Sequence, residues 1–310
     1  MRRFLIDEDG MDRAGCYALG YSQDEFKRLE VQGAFIRDLT EDLLRRAGIE
    51  PGMHVLDIGC GVGDVSLMAA ELVGPAGSVV GVDRSSRAIA MAEGRTMEAG
   101  QCHRIRFTAT DLATYWPDET FDAVIGRLIL MYLPNPATIL RRLCDHVRPG
   151  GIVVFQELAT AAGSAPETPL LHQCKYWITE TLERAGVETD MGPKLYATFL
   201  AAGLPAPKMI CSGRVEGGGQ SPVYDYLAET VRSLLPVMER LGVACAASVG
   251  VDTLAERLRE EALAHTACVM LPPPLIGAWT RIPEPRHRLE DRAAAGPVAG
   301  TTPAAAFFWS

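Results

Sequence analysis

Three glycines and two aspartates lie within LDIGCGVGD, at positions 56–64, directly after an apolar run. MHVLDIG is typical of a buried strand, and the segment DVSLMAAELVG after it is typical of a helix. Glycine-rich turns between a strand and a helix let the backbone approach a ligand, which is commonly a phosphate. Asp57 and Asp64 would repel a phosphate and attract a positive charge. The loop therefore predicts a ligand with a cationic end, and the alternative is a tight turn that binds nothing.

The glycine spacing also partly matches the dinucleotide-binding pattern G-x-G-x-x-G. Gly59, Gly61 and Gly63 stand at every second position, and Asp64 occupies the place of the third glycine of that pattern. The chain also lacks a second mononucleotide-binding half. An NAD(P)-dependent oxidoreductase is therefore the weaker interpretation of this loop.

Two further aspartates end the next two predicted strands. Asp83 closes GSVVGVD, and Asp111 closes RIRFTATD. Open α/β sheets bind ligands at the carboxyl edge of their strands, where a carboxylate in the position of Asp83 accepts hydrogen bonds from ribose hydroxyls. A side chain in the position of Asp111 could meet an adenine edge. For either aspartate the alternative is a helix N-cap.

The elements that must position these residues alternate between strand and helix from residue 51 to residue 160. This alternation predicts a doubly wound α/β fold with a parallel sheet. Helical periodicity predicts one or two amphipathic helices from Gln23 to Ala47. We divide the chain into an N-terminal helical cap (1–50), a ligand-binding core (51–160), a helical insertion (161–205), the remaining strands with a second helical insertion (206–283) and a disordered tail (284–310).

Composition narrows the function classes. The 310 residues carry a net charge of −9 without a basic run, which argues against a nucleic acid or an anionic membrane as a partner. The eight cysteines form no CxxC pair, and no histidine cluster has metal-ligand spacing. We therefore expect reduced thiols, a cytoplasmic location and no bound metal. We also expect neither a signal peptide nor a membrane span, because no sufficiently long apolar stretch occurs.

Four segments together resemble the motif series of class I S-adenosylmethionine-dependent methyltransferases: VLDIGCGVGD, GVD, ATDLATYWPDETFDAVIGRLILMYLPNP and VRPGG. They cover about residues 50–160. YALGYS and LIGAWTR, near the two ends, resemble a bacterial branch that acts on small molecules, and a role in secondary metabolism is implied. The resemblance implies a Rossmann-like, doubly wound and mostly parallel seven-stranded sheet with N-terminal helices and helical lid insertions. It also implies S-adenosyl-L-methionine as the cofactor.

The resemblance assigns roles along the core. Asp57 would receive the ammonium group of the cofactor, and Asp83 would bind its ribose. Asp111 would bind the adenine amino group, and Arg127 would face the cofactor or the substrate. The residues implied to bind the cofactor are Asp57, Gly59, Cys60, Gly61, Gly63, Asp83, Arg84, Asp111, Leu112 and Arg127.

Methyl transfer is an in-line displacement at a sulfonium carbon, so the protein mainly positions and desolvates two reactants. A general base is required only when the acceptor holds a proton near neutral pH. Candidates for this role or for holding the acceptor are Tyr17, Tyr21, Glu157 and His172. Their alternative roles are aromatic packing for the tyrosines, capping or lid anchoring for Glu157, and a surface position for His172.

The acceptor expected from the sequence is a small organic molecule that is methylated on carbon, oxygen or nitrogen. Two other functions stay open: an NAD(P)-dependent oxidoreductase, and a protein of the same fold that binds the cofactor without methylating, including one that performs a cyclisation. The sequence is also compatible with a homodimer.

Overall fold

The computed structural model describes residue 20 and residues 22–161, 168–265 and 269–284. Seven strands form one sheet in the order β3-β2-β1-β4-β5-β9-β6, in which β1 to β5 are parallel and β9 runs antiparallel to both of its neighbours. The mostly parallel seven-stranded sheet predicted from the sequence is confirmed. The strands of this sheet are β1 (His54–Ile58), β2 (Ser78–Asp83), β3 (Ile105–Ala109), β4 (Phe121–Arg127), β5 (Val147–Leu158), β6 (Lys208–Ser212) and β9 (Leu275–Arg281).

Helices cover the sheet and its carboxyl edge. They are α1 (Gln23–Phe35), α2 (Arg37–Ala47), α3 (Asp64–Val73), α4 (Ser86–Glu98), α5 (Pro136–Cys144), α6 (Pro169–Arg184), α7 (Met191–Ala201), α8 (Val223–Leu241), α9 (Ala246–Val249) and α10 (Leu254–Ala264). The helix α1 packs along α8, and α8 also contacts α6 and α10. The helix α2 packs against α3 and the strands β5 and β9.

The central strands are apolar on both faces. Along β1, Val55 belongs to the core cluster that includes α3, whereas Leu56 belongs to the opposite cluster that includes α5 to α8. Val153 and Val154 divide in the same way along β5. Successive side chains of a strand point to opposite faces, so a parallel sheet between two helical layers needs continuous apolar runs. This requirement explains why the sequence of the core predicted the fold.

A second, two-stranded ribbon was not predicted. It pairs β7 (Glu216–Gly217) with β8 (Val269–Met270), and the two strands are far apart in the sequence. Two residues are too few to show the period-2 alternation that identifies a strand. In the described part of the chain, no helix is long and apolar enough to cross a membrane.

The division of the chain into a cap, a core and insertions stays a prediction, although α1 and α2 fall within 1–50 as expected. Most of the predicted tail, from residue 285 onward, lies outside the described residues.

Candidate functional site

A cavity opens at the carboxyl edge of β1, β2, β3 and β4, beneath α1 and α8. It brings together nine of the ten residues predicted to bind the cofactor: Asp57, Gly59, Cys60, Gly61, Asp83, Arg84, Asp111, Leu112 and Arg127. The tenth, Gly63, precedes α3 with φ of 84° and packs towards Ala92 and Phe107 instead. The structure therefore gathers residues from the carboxyl ends of β1, β2, β3 and β4 around one space.

The glycine loop needs its glycines for both conformation and space. Gly59 has φ of 65° and Gly61 has φ of 54°, in the left-handed region that side chains disfavour. A Cβ on Gly59 would lie 2.5 Å from the side chain of Ile129. The N–H of Cys60 donates to the carbonyl of Val82 at 3.0 Å, which ties the loop to the end of β2. The loop therefore exposes backbone to the cavity in a fixed shape.

Asp57 is a buried carboxylate at the floor of the cavity. Its Oδ2 accepts a hydrogen bond from the Ser66 hydroxyl at 2.6 Å. Burial raises the pKa of Asp57 to about 7, although the Ser66 hydrogen bond and the charge of Arg127 oppose the shift. No described residue bonds to Oδ1. A cationic ligand group beside this oxygen would favour the ionised carboxylate, so the site suits an ammonium group.

Asp83 is held rigidly by backbone donors. Its Oδ2 accepts from the N–H of Gly61 at 3.0 Å, and its Oδ1 accepts from the N–H of Ser85 at 2.8 Å. Burial raises the pKa of Asp83 against these hydrogen bonds. Each carboxylate oxygen has two lone pairs, so both can still accept from hydroxyl groups in the cavity. This geometry suits a pair of neighbouring ribose hydroxyls.

The turn after β3 forms the third side of the cavity. The Oδ1 of Asp111 accepts from the N–H of Ala113 at 2.8 Å, which is a local turn contact. Arg142, on α5, donates to the backbone carbonyls of Leu112 and Ala113. Its guanidinium also lies 5.1 Å from the centroid of the Trp116 ring. The turn that presents Asp111 and Leu112 is therefore anchored from α5.

Arg127 ends β4 with its side chain only 8% exposed. Its Nη1 donates to the Thr40 hydroxyl at 3.3 Å, and its Nη2 lies 3.9 Å from the carboxylate of Asp64. Burial lowers the pKa of Arg127, and the charges of Asp64 and Asp57 oppose this effect. A guanidinium has five N–H donors, so most of them have no partner among the described residues.

The helical side of the cavity was missed by the sequence analysis. On α1, Glu25 and Arg28 form a buried pair with contacts of 2.6 and 2.7 Å, and Ser233 of α8 donates to Glu25 at 2.7 Å. Tyr226, Thr230 and Leu234 of α8 line the cavity at intervals of four residues, which places them on one face of the helix. Polar residues on an otherwise apolar helix face were the signal that could have identified this wall.

The residues predicted for catalysis are not gathered at the cavity. Tyr17 and Tyr21 lie outside the described residues. His172 is exposed on α6, and neither it nor Glu157 is among the described residues that line the cavity. Glu157 is buried, and its Oε1 accepts from the N–H groups of Ile129 and Leu130. It anchors the segment after β4, which corresponds to the anchoring alternative considered for this residue.

Residues 49–195 match a family model described as a methyltransferase domain. This part of the chain is a class I S-adenosylmethionine-dependent methyltransferase domain. The resemblance inferred from the motifs is thereby confirmed, and S-adenosylmethionine is the methyl donor of that family. The methyltransferase domain contains the glycine loop and all three strand-end aspartates, and it ends before α8.

Curated relatives of the methyltransferase domain include enzymes named for quinone substrates. A demethylmenaquinone methyltransferase of Anoxybacillus flavithermus is 31% identical over 43% of this chain and 57% of its own length. A 2-phytyl-1,4-naphthoquinone methyltransferase of Synechococcus elongatus is 33% identical over 40% of this chain and 52% of its own length. The chain thus spans little more than half the length of these relatives.

Solved structures share the fold at low identity. A phosphoethanolamine N-methyltransferase of Haemonchus contortus superposes with a TM-score of 0.52 at 15% identity, over 84% of this chain and 58% of its own. The [4+2]-cyclase SpnF superposes with a TM-score of 0.50 at 21% identity, over 80% of this chain and 81% of its own. These likenesses confirm the Rossmann-like fold of the methyltransferase domain. They do not determine its reaction, because one fold hosts different chemistries.

Proposed function

We propose that this chain is an S-adenosylmethionine-dependent methyltransferase that acts on a small organic acceptor. The observation that carries the proposal is the convergence of Asp57, Asp83 and Asp111 with the glycine loop in one cavity. A pyrophosphate would meet carboxylates on each side of this loop, whereas a ligand with an ammonium group and a ribose would find a partner for each.

The cavity residues fit the cofactor as follows. Asp57 receives the ammonium group, and the backbone from Gly59 to Gly61 lies along the methionine part. Asp83 accepts hydrogen bonds from the ribose hydroxyls, and the turn at Asp111 and Leu112 meets the adenine. When bound, S-adenosylmethionine supplies a methyl group on a sulfonium centre, which is electrophilic without any further activation by the protein.

The protein positions the two reactants and excludes water from them. The segment from Ile129 to Leu133 lines the cavity and is tied to β5 by Glu157. Glu157 therefore acts as a positioning residue. Tyr17 and Tyr21 keep their predicted role of holding or deprotonating the acceptor. We assign no general-base role to His172, because its side chain is exposed on α6.

The acceptor is expected to be a secondary metabolite, methylated by a cytoplasmic enzyme. The curated relatives are named for demethylmenaquinone and a phytyl naphthoquinone, so the reduced forms of such quinones are the first acceptors to test. The family match ends at residue 195, whereas α8, which lies beyond it, also lines the cavity. We therefore expect α8 to make this chain select an acceptor that differs from those of its relatives.

The test begins with calorimetric titration of S-adenosylmethionine, S-adenosylhomocysteine and NADH into the full chain. We expect the two sulfur compounds to bind and NADH not to bind. Preferential binding of NADH would contradict the proposal and indicate an oxidoreductase. Incubation of candidate metabolites with methyl-labelled cofactor follows, with label in the product measured by mass spectrometry. Cofactor binding with turnover that leaves the label on the cofactor would identify a non-methylating enzyme, such as a cyclase.

A further inference from the structure

The cavity has two chemically different ends. The first end, described above, is formed by the glycine loop and three aspartates. The second end lies between β4, α1 and α8, where Arg127, Arg28 and Tyr226 line the same space. The cavity is also lined by apolar side chains of the segment after β4, of α6 and of α8: Met131, Leu133, Ile178, Leu182 and Leu234.

The ring of Tyr226 is held by packing, whereas its hydroxyl is available to a ligand. The ring stacks on Phe35 with 4.8 Å between centroids and an angle of 16°. The hydroxyl has no hydrogen-bond partner in the part of the chain that the structure describes. Burial raises the pKa of Tyr226, and the charges of Arg28 and Arg127 oppose the shift. A tyrosine with a raised pKa keeps its proton at neutral pH, so this hydroxyl is a hydrogen-bond donor to a ligand.

Arg127 is the positive charge with the weakest compensation at this end. Arg28 is held at 2.6 and 2.7 Å by Glu25 on α1. Asp64 of α3 is bound to Arg95 at 2.7 Å, and its distance to Arg127 is 3.9 Å. Asp57 on β1 also acts on Arg127, and in the proposed function its carboxylate is paired with the ammonium group of the cofactor.

An apolar chamber with a buried guanidinium and a tyrosine hydroxyl at one end favours a particular ligand chemistry. A hydrocarbon or a methyl ether would leave the buried charge of Arg127 with only the 3.9 Å contact to Asp64, an acid shared with Arg95, and the field of Asp57 to balance it. A free carboxylate or a phosphate would satisfy the charge but has no apolar body to fill the walls. A ring compound with one acidic hydroxyl satisfies both the charge and the walls.

On the basis of the proposed function, we infer that the acceptor is an apolar ring compound with an acidic hydroxyl, a phenol or an enol, whose ionised oxygen binds between the Tyr226 hydroxyl and the Arg127 guanidinium. On binding, the O–H bond breaks, the proton leaves to solvent and the electron pair stays on oxygen. Arg127 stabilises that anion, and Tyr226 donates a hydrogen bond to it. The Glu25–Arg28 pair forms the wall behind them.

The test uses the chain saturated with S-adenosylhomocysteine and a set of nitrated phenols with one, two and three rings. Each phenol is paired with its own methyl ether, and ionisation of a nitrated phenol is visible by absorbance. We expect at least one phenol to bind ten-fold or more tightly than its ether, with its pKa lowered by about one unit or more in the complex. If every phenol binds no better than its ether, or none binds, the inference is wrong.

Variants test which residues cause the preference for phenols and the pKa shift. Y226F should reduce the phenol preference at least several-fold, and R127Q should remove the pKa shift of the bound phenol. The control is Y196F, because Tyr196 is exposed on α7 away from the cavity. Equal phenol preference in Y226F and the parent chain would overturn the role of Tyr226. If R127Q loses affinity for S-adenosylhomocysteine together with the phenol preference, Arg127 belongs to the cofactor and the inferred anion site is overturned.

The outcome also separates this inference from the proposed function. A chain that binds no S-adenosylhomocysteine contradicts the proposed function itself. A chain that binds it normally and shows no preference for phenols contradicts only the acceptor chemistry inferred from Tyr226 and Arg127.

Discussion

The carboxylate of Glu157 accepts a hydrogen bond from the N–H of Leu130 at 2.7 Å, which joins the end of β5 to the segment after β4. The same oxygen accepts from Ile129 at 3.0 Å. Leu128, just before this segment, has φ of 53°, a conformation that a leucine rarely adopts. The contact therefore holds a strained turn in place directly beside the cavity.

Substitutions of Glu157 distinguish an anchor from a general base. E157Q keeps an oxygen that can accept both N–H groups, so turnover should stay within a few-fold of the parent. E157A removes the acceptor, and unfolding by urea should show a loss of about 1–3 kcal/mol. An E157Q chain that folds normally and is inactive would instead indicate a catalytic role.

The pH dependence of stability provides a second measurement on Glu157. Burial raises its pKa from 4.5 to about 8 against the hydrogen bonds from Leu130 and Ile129. Between these values the unfolded chain is ionised and the folded chain protonated, so the unfolded state binds fewer protons. The contribution of Glu157 to stability is therefore complete below about pH 4.5 and falls by up to about 1.4 kcal/mol per pH unit towards pH 8. The free energy of unfolding of E157Q relative to the parent should rise across this window, and a constant difference would contradict the assignment.

Asp57 predicts how cofactor affinity changes with pH. Because burial raises its pKa to about 7 and a bound ammonium group favours the ionised form, binding should release a proton near neutral pH. Affinity for S-adenosylhomocysteine should therefore rise from pH 6 to pH 8. D57N should bind more weakly and lose this dependence, as measured by calorimetry in two buffers of different ionisation enthalpy. The same pH profile in D57N would assign the proton to another group.

We expect Asp83 to contribute to cofactor affinity by accepting hydrogen bonds from the ribose. D83A should weaken cofactor binding by about 1.5–3 kcal/mol, the range for a hydrogen bond to a charged group. E98A is a matched control, because it removes one carboxylate at the exposed end of α4. If D83A binds the cofactor as tightly as E98A does, the ribose does not lie at the end of β2.

Two variants distinguish the role of Gly59 in the loop from the general cost of replacing a glycine that has a positive φ. Gly59 and Gly100 have φ of 65° and 66°, but a Cβ on Gly59 would lie 2.5 Å from Ile129, whereas a Cβ on Gly100 would meet nothing within 4 Å. G100A should cost about 1–2 kcal/mol of stability and leave cofactor affinity unchanged. G59A should cost more and impair cofactor binding, as followed by thermal unfolding and calorimetry. Equal behaviour of the two variants would show that the loop tolerates the side chain.

The sequence by itself determined the parallel core and the end of the cavity that carries the three aspartates. Apolar runs that alternate with amphipathic segments specify a doubly wound sheet, and the topology of such a sheet brings Asp57, Asp83 and Asp111 to one edge. Asp57 and Asp83 lie at the ends of β1 and β2, and Asp111 follows β3, so their relative positions are set by local structure and register. A reader of the sequence can therefore place them without knowing any long-range contact.

Only the tertiary structure decided which side chains surround Tyr226 and which backbone groups Glu157 contacts. The contacts of Tyr226 with Phe35 and of Glu25 with Ser233 join helices about 200 residues apart. The sequence shows which face of α8 carries Tyr226, but not which helix packs on that face. In the same way, the position of Glu157 at the end of β5 suggested a catalytic acid or base, whereas its backbone partners belong to the segment after β4 and reach it through the packing of adjacent strands. Side chains that are paired across the fold acquire their function from that packing, because burial and partner choice arise only when distant segments meet.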